Sequence, residues 1–298
     1  MTLEQLRIFI AVAEVQHMTR AAEALGRTQS AVSASIAALE SRHGVILFDR
    51  VGRRIELTET GRRFLGEARG LLARAAQAER LLDGLGGDVS GTLNVHASQT
   101  VASYWLPPFL ARLRAAHPRL AIVLRAGNTS DVAEAVRRGQ ADIGIVEGET
   151  EDEDLTATQV GEDALVLALA PGHPLASATS VSAGDLASTS WVMREEGSGT
   201  RAAFERILTR FDLSSDRLDV LLELPSNEAM IAAVATGEAA CVVSRLAAEP
   251  AHAAGRIALV ALHDGDRRFT ALSHRQRHPT PAADALLALM RETATSTP

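Results

Sequence analysis

Leu6, Phe9, Ile10 and Ala13 fall on one face of a 3.6-residue period, and that stripe predicts an amphipathic helix over residues 3–15. A shorter helix follows "HMT", with Thr19 as its expected cap, Ala21, Ala22 and Leu25 facing inward and Gly26 as its stop. A third begins after Thr28, with Val32, Ile36 and Leu39 at i, i+4 and i+7. The period then changes. Residues 46–48 and 55–57 are short extended runs on either side of a turn that holds Gly52, and Thr58 caps a long helical stretch. Within that stretch Phe64, Ala68, Leu71, Ala75, Ala78, Leu82 and Leu85 alternate spacings of four and three, a heptad seam.

"GDVSG" at 87–91 breaks the pattern. Beyond it short apolar runs alternate with helical stretches. "TLNVHA" precedes a helix over 99–115 and "LAIVLRA" one over 130–138; "ADIGIVE" and "ALVLALA" follow. "SWVMRE" precedes a helix over 200–211, "VLLELP" one over 227–236, and "AACVVS" closes the series. Such alternation predicts parallel sheets covered by helices. The run is long enough for two lobes, with the chain crossing between them near 158–164 and again near 263–270, and with a last helix over 280–292 returning to the first lobe. The expected organisation is a head over 1–58, a linker helix over 59–88 and a body over 89–298. Within the body, lobe I takes 91–161 and 266–298, and lobe II takes 162–265.

Two short helices around Gly26 make a helix-turn-helix, whose second member enters the DNA major groove with its first residues near base edges. The polar residues there are short: Thr28, Gln29, Ser30 and Ser33. A glutamine amide pairs with adenine, and serine hydroxyls reach bases or phosphates. The same residues would also solvate an ordinary three-helix bundle. Arg50, Arg53 and Arg54 surround the Gly52 turn and suit phosphate or the minor groove, although a charged solvated turn has the same composition. The seam of Phe64, Ala68, Leu71, Ala75, Ala78 and Leu82 favours pairing with a second copy over packing on the chain's own body.

In the body, ligands are expected beyond the carboxyl ends of strands, where helix amino termini present free N–H groups. Three strand-to-helix turns carry suitable groups: Ser98, Gln99 and Thr100; Ser198, Gly199 and Thr200; Ser226 and Asn227. Gly197 and Gly199 would let backbone approach a ligand closely, and Glu147 stands at another strand end. Convergence of these turns would suit a small anion. Serine, threonine and asparagine are also the usual helix caps whatever a protein does, and Glu147 leads into the acidic run 149–154, so capping and solvation remain open readings.

Composition narrows the class. The 298 residues are 46% hydrophobic, enough for ordinary cores in two or three units. No basic and apolar leader opens the chain and no apolar run approaches a membrane span, so a soluble cytoplasmic protein without a membrane partner is expected. The one cysteine, Cys241, excludes an internal disulfide and reads as a small core residue. The net charge is -7, yet residues 1–65 hold nine Arg against seven acidic residues while the remainder holds 21 against 30. The head is the basic part. No nucleophile elbow surrounds Ser198, the nine histidines show no metal-ligand spacing, and no glycine-rich nucleotide motif follows a strand. Neither an enzyme, a metal nor a cofactor is expected.

Taken in order, "LEQLRIFIAVAE", "MTRAAEALGRTQSAVSASIAALE", "GVILFDR" and "LTETG" resemble the LysR-type transcriptional regulators over residues 1–88, and the likeness continues more loosely beyond. "REEGSGTR" and "LPSNEAMIAAVATG" are most similar to the branch that includes regulators of carbon dioxide fixation and of sulfur-anion metabolism. The resemblance implies a winged helix-turn-helix, a long linker helix that pairs subunits into a dimer or tetramer, and a two-lobed α/β effector domain like a periplasmic binding protein. It implies double-stranded promoter DNA, a small-molecule effector and, for an activator, RNA polymerase as partners, and it strengthens the first-strand turn and the "GSGT" turn as effector contacts. The competing reading is a small-anion solute-binding protein with no transcriptional role, which the winged head and the missing leader oppose.

Overall fold

The computed structural model describes residues 1–298 apart from 52–53, 85–88, 149–151 and 295–298. Its two compact units are Met1–Arg80 with Arg138–Gln140, and Leu81–Arg137 with Ala141–Pro298.

In the first unit α1 spans Leu3–Val15, α2 Met18–Ala24 and α3 Gln29–His43, followed by a hairpin of β1 (Phe48–Val51) and β2 (Arg54–Leu57) and by α4 (Glu59–Gly84). Thr2 and Gln5 close the start of α1 reciprocally, each side chain accepting from the other's backbone N–H. The cap of α2 is His17 and not Thr19: Gln16 leaves α1 in the left-handed region at φ 48°, the chain re-enters helix at once, and His17 Nδ1 accepts from the Arg20 N–H at 3.4 Å. The hairpin strands begin later than 46–48 suggests. Glu40 Oε1 on α3 accepts from the Leu47 and Phe48 N–H groups at 2.7 and 3.2 Å, while the Thr58 hydroxyl donates to the Ile46 carbonyl at 2.8 Å. Those backbone groups are occupied before the ladder starts at Phe48 opposite Leu57.

Phe9 is the centre of this unit, fully buried with ring centroids 5.4 Å from Phe48 and 4.9 Å from Phe64. Phe64 and Ala68 thus pack into the unit's own core, which corrects their assignment to subunit pairing. The physical reason is size: three short helices and a hairpin cannot enclose Phe9 unaided. Farther along α4, Leu71 and Leu82 are exposed by 40% and 68%, Ala78 is exposed and Ala75 half-buried. Leu85 lies outside the described residues.

The second unit contains β3 (Gly91–Ser98), β4 (Leu120–Gly127), β5 (Ile143–Glu147), β6 (Leu155–Leu169), β7 (Ser190–Arg194), β8 (Asp219–Leu224), β9 (Ala240–Ser244) and β10 (Ala258–His274). The helices are α5 (Pro107–Ala116), α6 (Thr129–Arg137), α7 (Ala183–Ser188), α8 (Gly199–Arg210), α9 (Asn227–Val234), α10 (Arg245–Ala253) and α11 (Pro281–Ala294). Among the described residues the sheet order is β4-β3-β5-β10-β6-β9-β7-β8. Its outer pairs are parallel, but β5, β10, β6 and β9 are joined antiparallel, unlike the all-parallel expectation. One strand must carry the chain out to lobe II and another must bring it back, so β6 and β10 run against each other across both lobes. Their ladder breaks between the pairs Ala261–Val166 and Asp266–Ala164, with Asp264 left-handed at φ 61°.

The stretch predicted as one helix over 99–115 is a π-helical turn, Val101–Trp105, followed by α5. Pro107 and Pro108 lack the N–H groups needed to continue the first turn into the second. Beyond the crossing, β6 is buried on both faces. Leu165, Leu167 and Leu169 join Trp191 and Phe204 in one core, while Val166 and Ala168 join Met230 and Cys241 in another. Burial pushes the Cys241 thiol up, away from thiolate character.

Candidate functional site

On α3 the Thr28 hydroxyl caps the first turn, accepting from the Ala31 N–H at 3.3 Å and lying 3.1 Å from the Ser30 hydroxyl. Thr28, Gln29 and Ser30 are exposed, whereas Ser33 is half-buried beside the Val32–Ile36–Leu39 stripe. The residue that faces out one turn beyond Ser30 is Ala34, with Ala37 and Ala38 exposed farther along. The outer row is therefore short-chained throughout, with hydroxyls at its start and methyl groups beyond, and an alanine methyl is a recognised contact for the thymine methyl. Ala34 stands at i+4 from Ser30 and so was legible by spacing, but a search for polar groups passes over it. In the hairpin the backbones of Arg50 and Arg54 pair with Ile55 and Val51; their side chains and the whole of Arg53 lie outside the described residues. Glu40 belongs to α3 and holds the backbone at Leu47 and Phe48, which ties the helix to the start of the hairpin.

In the second unit the candidate residues gather between the two lobes in two groups. The first joins the end of β3 to the start of α9. Gln99 Nε2 donates to Glu228 Oε2 at 2.7 Å, and Tyr104 donates its hydroxyl to Glu228 Oε1 at 2.7 Å. Burial, then the Glu228 carboxylate that the phenol serves, pushes the Tyr104 pKa up. With its amide so oriented, Gln99 presents Oε1 to the Asn227 N–H at 3.2 Å and to Asn227 Nδ2 at 2.5 Å, and Nδ2 also donates to the Thr100 hydroxyl at 3.0 Å. The amide of Asn227 is thereby fixed too, and its Oδ1 is left buried with no hydrogen-bond partner. Ser98 Oγ is in the same condition. Groups of this kind are rare in native proteins and call for an explanation.

The second group surrounds the start of α8. Gly199 lies against lobe I so closely that a Cβ there would stand 2.7 Å from Thr129 Oγ1 and 2.9 Å from the Glu147 carbonyl oxygen. Gly197, at φ 82°, accepts from the Ser130 N–H at 3.3 Å. Ser198 occupies the N-cap but makes no side-chain cap bond, and among the described residues Thr129 Oγ1 is buried without a partner. A cavity of about 330 Å³ opens here, lined by Thr129, Ser130, Glu147, Ser198, Gly199 and Arg206 among others. That volume is at the small end of ligand sites.

Beneath it lies an ion network that sequence reasoning missed. Arg267, on β10, donates through Nε and Nη2 to Asp163 Oδ2 of β6 at 2.8 and 2.6 Å, and through Nη1 to the Thr200 hydroxyl at 3.0 Å. Ser244 donates to the other Asp163 oxygen at 3.0 Å. Glu147 stands 3.8 Å from Arg267 Nη2, beyond hydrogen-bond reach, with its side chain 3% exposed. Arg267 and Asp163 became partners only because the two crossing strands pair, and nothing in their local sequence marks them.

Of the residues singled out in the sequence, Glu147, Ser198 and Gly199 line the cavity, and Ser98 is buried at the end of β3. Gln99, Thr100 and Asn227 are bonded to one another, and Thr200 to Arg267. Ser198 makes no side-chain cap bond at α8, whose first turn lies at the cavity.

Residues 86–295 match the family described as LysR substrate binding domain, and residues 3–62 match the bacterial regulatory helix-turn-helix protein, lysR family. The chain is 36% identical over 279 residues to the uncharacterized HTH-type transcriptional regulator YeiE of Escherichia coli strain K12, covering 93% of this chain and 92% of that protein. It is 35% identical over 251 residues to a probable RuBisCO transcriptional regulator of Synechocystis, covering 83% and 73%. Among solved structures, full-length CbnR complexed with its target DNA has the same fold, with a TM-score of 0.73, 22% identity, and 99% and 100% of the two chains covered.

Proposed function

The chain belongs to the LysR family of bacterial regulatory proteins, as a DNA-binding transcriptional regulator with an effector-binding domain, and from that premise we propose that its hold on promoter DNA is set by a small anion between the lobes. The observation that carries this reading is the start of α8: a helix terminus without a side-chain cap, opening into a cavity beside the buried Thr129 hydroxyl, which lacks a partner among the described residues. Free N–H groups at a helix terminus and short hydroxyls bind oxyanions without a compensating cation.

On the DNA side, Gln29, Ser30 and Ser33 are the base-reading set, the Ala34 methyl adds an apolar contact beside them, and Arg50, Arg53 and Arg54 grip the phosphates. Gln29→Ala should narrow the gap between specific and random DNA, whereas Arg53→Ala should weaken both alike. Leu71, Ala75, Ala78 and Leu82 form the pairing seam of a homodimer, or of a homotetramer built on it. A regulator of promoters works in the cytoplasm, and an activator of this design would also meet RNA polymerase. Among the described residues no helix is long and apolar enough to cross a membrane.

An effector can shift the lobes only through unequal affinity for two arrangements. The test is binding of the purified protein to its own upstream intergenic DNA against a scrambled duplex, at fixed salt, with and without small anions. Selective binding that one anion alters is the expected result, and Ser198→Ala and Thr129→Ala should blunt that response. An unchanged response in both variants, and in Thr100→Ala and Thr200→Ala, would place the effector elsewhere.

A further inference from the structure

We infer that the effector is a proton-bearing anion, one that presents an O–H or N–H as well as its negative oxygens, and that Glu147 is the residue that selects for it. The inference rests on the anion reading of the cleft and sharpens it.

An uncapped helix terminus and free hydroxyls would suit any oxyanion. The same cavity, however, also holds a carboxylate that no donor reaches by a hydrogen bond among the described residues. Glu147 lines the cavity with its side chain 3% exposed, and among the described residues no hydrogen bond reaches its carboxylate. Arg267 is nearest at 3.8 Å, but its Nε and Nη2 are committed to Asp163 and its Nη1 to Thr200. The buried cluster of Arg267, Asp163 and Glu147 therefore holds one positive and two negative groups. In the other group between the lobes, away from the residues that line this cavity, the amide oxygen of Asn227 is a further acceptor without a partner among the described residues, its orientation fixed by the chain from Glu228 through Gln99.

The Glu147 carboxylate shares Arg267 with Asp163 at 3.8 Å and without a hydrogen bond, so a fully deprotonated anion brought beside it would add repulsion that one shared cation does not offset. A ligand proton reverses the balance. Its donor satisfies Glu147 while the remaining oxygens take the N–H groups at the start of α8, so both kinds of unsatisfied group are met by one molecule. Discrimination of this sort is steep, because the rejected ligand leaves a buried group unpaired.

Inorganic phosphate and sulfate have the same shape and differ at neutral pH in carrying a proton. Lactate and propionate differ likewise by one hydroxyl. Titration calorimetry of the full chain at pH 7 with these four should give phosphate or lactate an affinity about tenfold or more above its partner. Glu147→Gln, whose amide can donate, should bring sulfate up and phosphate down until the preference is lost or inverted. Unchanged thermal unfolding would show that this variant keeps its fold. Sulfate binding as tightly as phosphate to the unaltered chain, or glutamine changing neither affinity, would overturn the proton requirement and leave the anion reading standing. Failure of all four to bind would overturn the anion reading itself.

Discussion

Two helices begin at the same cleft with a serine at the N-cap, and their ends are built in opposite ways. Ser226 caps α9 in the ordinary manner, its hydroxyl accepting from the Ala229 N–H at 3.1 Å, and the next residue, Asn227, is wired to Gln99 and Thr100 of the other lobe. Ser198 makes no such bond at α8. That helix is held from beneath, by Arg267 through the Thr200 hydroxyl, and from the side by contact of Gly199 with lobe I. One terminus is finished by its own residues and serves to join the lobes. The other is anchored elsewhere and has no side-chain cap, and its N–H groups are the ones the proposed effector would meet. The lesson is that an N-cap serine marks a helix start but does not say whether that start is occupied.

Four substitutions would break or sharpen this contrast. The largest effect is expected from Arg267→Met, which leaves Asp163 and Glu147 as uncompensated buried carboxylates and removes the anchor of α8; about 3–5 kcal/mol should be lost in denaturant unfolding. Gly199→Ala comes next. Its methyl would meet Thr129 Oγ1 and the Glu147 carbonyl, so about 1–3 kcal/mol of strain should prop the lobes apart, and the effector response should vanish while DNA binding by the head persists.

The serines then make the direct comparison. Ser226→Ala should cost about 1 kcal/mol of stability by removing a working cap, with effector affinity nearly unchanged. Ser198→Ala should do the reverse, leaving the unfolding midpoint within about 0.5 kcal/mol and weakening effector binding. Equal losses of stability in the two serine variants would show that α8 is capped like α9 and that its terminus is not reserved. The contrast would then fail.

Legibility in the sequence followed the range of the interactions. The helix-turn-helix was readable because its stripe, its Thr28 cap and its short polar face all lie within a few residues of one another. The turns that form the cleft were readable for the same reason, each being a strand end followed by a small polar residue. What local spacing left out was competition between neighbours. Ser33 sits beside the apolar stripe and is half-buried by it, while Ala34 faces out next to it. Phe64 and Ala68 kept the heptad spacing yet were drawn to Phe9, since an incomplete local core claims the nearest apolar surface first.

By itself, then, the sequence determined the order of elements, the two-lobed α/β body, the short-chained outer face of α3 and which turns would carry polar groups, because each depends on spacing along the chain. Tertiary structure alone decided which of those groups are spent and which are free. Arg267 meets Asp163 and Thr200 across 104 and 67 residues, and Asn227 meets Thr100 across 127. Hydrogen bonding saturates: a donor or acceptor used in such a long-range pair is lost to a ligand, and no local pattern records that pairing.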